Sequence, residues 1–188
     1  MILVEKHWGI NMDEVTYAVN LLDAGWPDSS ERTALGIPTL HSVKPTILDI
    51  RNLEANKGRR YDMSNSVQTG RSSDVIIVYE DSQTIDFPTI DWSVMDEKYN
   101  LTLHIRAIHD DRTDATNTTF GRDRLENLYK MVKYVVNQRR KGATVTVGGE
   151  DKRFDQIWLG SRSESNDRNK RIFGYKMNME LRKYATPL

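Results

Sequence analysis

The run DRLENLYKMVKYVVNQRRKG, from Asp123 to Gly142, constrains the fold more than any other stretch. Its apolar residues Leu125, Leu128, Tyr129, Val132, Val135 and Val136 recur at helical spacing and make one stripe. Asp123 is placed to cap the first turn, with Glu126 reaching back to it. Arg139, Arg140 and Lys141 stand where the last carbonyls favour positive charge, and Gly142 supplies a left-handed stop. A helix with a single apolar stripe has to lie on a sheet or another helix, so this segment predicts one long helix forming a layer of a packed domain.

The stretches around it supply the other layer. Asn11 to Gly25 carries a second, shorter stripe, Val15, Ala18, Val19 and Leu22, with Asp13 and Glu14 in the first turn and Gly25 before Pro27. Asp74 to Glu80 is a β-branched run of strand length, expected in the middle of a sheet. Tyr99 to His109 alternates: Tyr99, Leu101, Leu103, Ile105 and Ala107 share one face, and Thr102, His104 and Arg106 the other. Thr144 to Val147 and Phe154 to Leu159 flank Gly148-Gly149-Glu150-Asp151, a hairpin turn by composition. In the last strand Phe173, Tyr175, Met177, Met179 and Leu181 point one way. Residues 26–73 are polar and broken by proline and glycine, and read as a long loop or arm with a brief strand at Thr46 to Arg51. Asp81 to Lys98 and Gly160 to Lys170 read as projecting loops. The expected architecture is a single α+β domain over 1–188, antiparallel sheet packed on one long helix and a shorter N-terminal one.

A chain of 188 residues suits one core. It has 27 basic and 27 acidic residues, a balance unlike that of a protein devoted to gripping nucleic acid. There is no cysteine, which excludes disulfides, thiolate metal sites and cysteine nucleophiles. The first residues make too short an apolar run for a signal peptide and no stretch reaches bilayer-spanning length, so a soluble protein made inside the cell is expected. The charge is unevenly spread. Residues 1–70 hold 7 basic and 9 acidic, 71–118 hold 4 and 10, and 119–188 hold 16 and 8. Such a split is either a matter of solvation or the mark of a molecule with an acidic and a basic side, suited to head-to-tail association with its own copies.

Candidate chemistry is sparse. On an extended strand His104 and His109 project from opposite faces and do not share a metal ion. Asp110, Asp111 and Asp114 either offer oxygen ligands to a hard cation or decorate the approach to the positive end of the long helix. Asp91 with Asp96-Glu97-Lys98 has the composition of a magnesium-dependent nuclease site, but the two lie five residues apart around an expected turn, whereas such sites take carboxylates from neighbouring strands. No phosphate-binding GxxxxGK loop, dinucleotide GxGxxG or GxSxG elbow is present. No cofactor and no catalytic residue is predicted.

The order of elements, an N-terminal amphipathic helix, an apolar strand, an alternating strand, a long helix and a closing hairpin ending RIFGYKMNMELRKYA, resembles the tail-terminator and tail-completion proteins of long-tailed phages and related archaeal viruses. The resemblance rests on Asp74 to Glu80, Tyr99 to His109, Leu125 to Val136 and Phe173 to Leu181, less than half of the chain. It implies a structural virion protein without enzymatic activity, a six-fold ring that caps the tail tube and joins it to the neck or head connector. The long segment 26–73 departs from the family's compact form and leaves open a place in the neck itself, as a head-completion protein. In such a ring Asp110, Asp111 and Asp114 of one copy are expected to face Arg139 and Arg140 of the next. Its partners would be its own copies, the tube and the neck protein, with no membrane and no sequence-specific contact to nucleic acid.

Overall fold

The computed structural model describes residues 13–41, 44–49, 74–86, 94–108, 120–166 and 172–185. Helix α1 spans Asp13–Ala24, a short α2 spans Ser29–Ala34, and a 3-10 turn covers Thr39–His41. The long helix α3 spans Phe120–Gln138. The strands are β1 Thr46–Asp49, β2 Val75–Asp86, β3 Met95–Ile108, β4 Ala143–Val147, β5 Glu150–Phe154, β6 Gln156–Glu164 and β7 Ile172–Ala185. The chain is an α+β fold, as its patterns predict.

Five strands form one sheet in the order β1-β2-β3-β7-β6, and β4 and β5 make a separate hairpin. All neighbours in the sheet are antiparallel except β1 and β2, which run parallel from Thr46↔Val75 to Asp49↔Val78. A parallel neighbour needs a crossover connection rather than a tight turn, and the long polar segment supplies the length.

One face of the sheet is apolar. Leu101, Leu103 and Ile105 of β3 pair with Met179, Met177 and Tyr175 of β7, and Ile76 and Val78 of β2 lie beside them. Against this face α3 buries Leu125, Leu128, Met131, Val132, Val135 and Val136, and α1 buries Val15, Tyr17, Ala18, Leu21 and Leu22, in one continuous core. The expected stripe is therefore the contact surface, with Met131 added to it. Removing one such side chain, as in Leu128→Ala, costs about 2–5 kcal/mol.

The β4–β5 hairpin closes one end of the core. Tyr17 stacks edge-on against Phe154 at 4.7 Å, and its hydroxyl donates to the Ala143 carbonyl at 2.7 Å. Burial raises the Tyr17 pKa to about 12, so this hydroxyl stays protonated. Gly148 and Gly149, both at positive φ, form the two-residue turn between the strands; Glu150 and Asp151, expected in the turn, instead open β5, and Gln156 to Leu159, expected as the second strand of the hairpin, pair with β7 in the large sheet. Gly142 ends the helical segment at φ 96, as expected from the sequence, and a Cβ there would stand 2.6 Å from the Phe154 carbonyl oxygen.

Four further expectations need correction. The helix starts at Phe120, so Asp123 lies inside its first turn, and Glu126 turns toward the sheet instead of back to a cap. The stretch expected to be loop after Trp26 begins with α2, closed by an Asp28–Glu31 capping box. Asp81 to Lys98 is not simply a projecting loop, because β2 continues to Asp86 and β3 begins at Met95. Likewise β6 extends to Glu164, into the segment expected to be loop after Gly160. In both strand extensions the residues are largely polar, so no alternation marks them; cross-strand pairing with β3 and β7 holds them extended. Residues 50–73, and with them most of the expected arm, lie outside the described residues.

Candidate functional site

Helix α3 holds two polar clusters on neighbouring turns. Arg124 pairs with Asp74 at the mouth of β2, with side chains only 8% and 2% exposed. One turn on, the Asn127 amide nitrogen lies 2.6 Å from Nδ1 of His41, in the 3-10 turn. Lys130 donates to the Asn127 amide oxygen at 3.5 Å, which orients the amide so that its nitrogen donates and Nδ1 accepts. The His41 proton then sits on Nε2. Burial, and after it the nearby Arg124 charge, hold the His41 pKa below its ordinary value and keep the ring neutral.

The second cluster faces out over β6 and β7. Glu126 accepts from the Tyr175 hydroxyl and from Nη1 of Arg162 at 3.1 Å. The Arg162 guanidinium lies 4.3 Å from the Tyr129 ring centre and 4.5 Å from that of Tyr175. Arg162 reaches this place because a bulge between Leu159 and Arg162 shifts the register of β6, setting Arg162 opposite Met177 on the helix-covered face. Burial pushes the Glu126 carboxyl up, but the Tyr175 hydroxyl and Arg162 outweigh it and leave the pKa below the usual value. Burial and the bond to Glu126 together raise Tyr175 to about 12.

The basic residues expected at an interface have neighbours within the chain. The Arg139 guanidinium lies over the end of α1, where a Cβ built on Gly25 would stand 2.6 Å from its Nη1. Arg140 sits 3.9 Å above the Trp158 ring, which is 37% exposed, and its carbonyl accepts from the Ile157 amide at 3.3 Å. Asp110, Asp111 and Asp114, with His109, lie outside the described residues, and so does their expected juxtaposition with Arg139 and Arg140. Asp91 lies outside them too. Asp96-Glu97-Lys98 is in the body of β3 rather than at a turn, and Asp96 pairs with Lys98 at 3.4 Å. Among the described residues no group of three or more His, Asp or Glu is arranged to hold a metal ion, and no helix is long and apolar enough to cross a membrane.

The sheet's two sides end differently. β1 covers only Val75 to Val78 of β2, and beyond the bulge at Glu80/Ser82 residues Ser82, Gln83, Thr84 and Ile85 are exposed, Ile85 at 48%. At the far side β6 is exposed from Gly160 to Glu164. Among the described residues no further strand pairs with either.

By class, then, this is an α+β sheet with helices on one face and two unlike edges. No protein-family model matches the chain, and no curated protein is significantly similar to it.

Proposed function

We propose that the protein is a structural subunit of the head–tail junction of a virion, resembling tail terminators: it forms a ring with its own copies, caps the tail tube and meets the neck or head connector. The observation that carries this reading is the pair of unlike sheet edges. A block whose two sides differ, the outer half of β2 on one and the bulged β6 on the other, associates head to tail, and such contacts close into rings when the rotation permits. The uneven charge along the chain favours the same arrangement, with the acidic stretch 71–118 contributing β2 and β3 and the basic stretch 119–188 contributing β6. Catalytic groups play no part in this role; position and shape do the work.

Size-exclusion chromatography with light scattering tests it. A discrete multiple of the 21.7 kDa chain, imaged as a ring by negative stain, is the expected result. Ile85→Lys, which places a charge on the exposed outer half of β2 without touching the ladder, is expected to return the assembly to monomer while leaving the fold intact. A chain that stays monomeric at all concentrations and binds no tail tubes overturns the reading.

A further inference from the structure

The sheet face opposite α1 and α3 carries hydrogen-bond donors beside the buried Val75 and Ile77 of β2. His104 of β3 stands directly across from Lys176 of β7, and Arg106 follows two residues on along the same face. Tyr79 of β2 reaches His104 from the other side, its ring edge-on to the imidazole at 5.5 Å. The Tyr79 hydroxyl is 3.4 Å from Nε2, and Arg106 Nη2 is 3.5 Å from Nδ1. Since the guanidinium can only donate, Nδ1 accepts, the ring proton sits on Nε2 and points at the Tyr79 oxygen. The Tyr79 O–H is thereby left to donate elsewhere. Among the described residues neither Arg106 nor Lys176 has a carboxylate partner.

One pleat from His104, on the same face and between Tyr79 and Asn178, Thr102 is 1% exposed and its hydroxyl has no hydrogen-bond partner. A buried hydroxyl without a partner is uncommon, and so is a pair of uncompensated cations on either side of an imidazole. The set is rich in donors and poor in acceptors, and it lies within about 10 Å along and across adjacent strands. That composition suits an oxyanion with several acceptor oxygens.

We propose that Arg106, Lys176 and Tyr79, gathered around His104 on the sheet face opposite α1 and α3, bind a phosphate group. The ligand is either free phosphate or a phosphodiester of a nucleic-acid strand; both present the same tetrahedral oxygens. Burial, then the charges of Arg106 and Lys176, hold the His104 pKa below its ordinary value. A bound phosphate offsets those two charges, so the His104 ring protonates more readily when the site is filled.

The site belongs to one subunit and can be tested whether or not rings form. His104 is followed by NMR, its signals assigned with His104→Gln, while inorganic phosphate or fluorescein-labelled oligothymidine is added. The expected result is an upward shift of the His104 titration midpoint and binding that weakens roughly tenfold for each of Lys176→Gln and Arg106→Gln. Lys176 is exposed, so its variant keeps the fold; Arg153→Gln, an exposed arginine on β5, serves as the control with unchanged binding. A response to oligothymidine at far lower concentration than to inorganic phosphate assigns the site to a strand backbone, and the reverse assigns it to free phosphate. If neither probe moves His104, if Arg153→Gln weakens binding as much as the others, or if polyglutamate competes as well as oligothymidine, the proposal is overturned.

Discussion

Arg124 and Glu126 are two residues apart on one helix, each paired with a residue of opposite charge or a hydroxyl from the sheet, yet their settings differ. The Arg124–Asp74 pair is sealed, with 8% and 2% of the side chains exposed, while the Glu126–Arg162 pair is open at 37% for both. Water screens the open pair and would solvate either partner if the other were lost; the sealed pair has no such recourse. Its geometry compensates for desolvation only while both members are present. The contrast teaches that burial, more than the presence of an ion pair, sets how much a polar cluster matters to this fold.

The sharpest break is Arg124→Met, which removes the guanidinium from the buried Asp74 carboxylate. It is expected to cost about 3–5 kcal/mol in urea denaturation, whereas the double change Arg124→Met with Asp74→Leu recovers most of that loss. Equal losses in the single and double variants would show that the pair itself contributes net stability. In the open cluster, Tyr175→Phe keeps the ring contacts with Tyr129 and Arg162 and removes only the bond to Glu126. The expected loss is about 1 kcal/mol, a fall of roughly 2–4 °C in melting temperature. A loss as large as that of Arg124→Met would abolish the distinction between the clusters.

The third test is read as a slope with pH. His41 in the folded protein titrates below its ordinary 6.5, so below that pH the unfolded chain takes up a proton that the folded ring refuses. Stability is complete above 6.5 and falls as pH drops beneath it. Glu126, also lowered, acts over a more acidic range: its contribution is present above the ordinary carboxyl value and is lost as pH falls through the folded one. His41→Gln is therefore expected to flatten the melting-temperature profile just below 6.5 and to leave the acidic limb unchanged. His104, lowered for similar reasons, keeps its own share of the slope in that variant.

Much of the fold was legible in sequence because it depends on periodicity. The stripe from Leu125 to Val136 and the alternation at Tyr99 to Ala107 and Phe173 to Leu181 all became core. What periodicity does not encode was missed. The polar ends of β2 and β6 are strands only because β3 and β7 pair with them, and α2 depends on a capping box rather than on apolar spacing. Asp123 followed by Glu126 has the pattern of such a box, yet Glu126 is drawn to Tyr175 and Arg162. Neither polar cluster has a local signature: Asp74 and Arg124 are 50 residues apart, and Glu126 and Arg162 are 36. The bulge that brings Arg162 inward is announced only by Gly160. Arg139 and Arg140 stand out in the sequence for charge, and the structure adds what that charge touches, the end of α1 and the Trp158 ring.

The β4–β5 hairpin seats the first helix. The Tyr17 hydroxyl bonds to the Ala143 carbonyl and the Asn20 amide to that of Thr146, each across 126 residues. On the ribosome α1 therefore emerges long before its seat exists, and its apolar side has to be sheltered until most of the polypeptide has been synthesised. Late docking of the first helix onto the hairpin is the expected consequence of that long-range attachment.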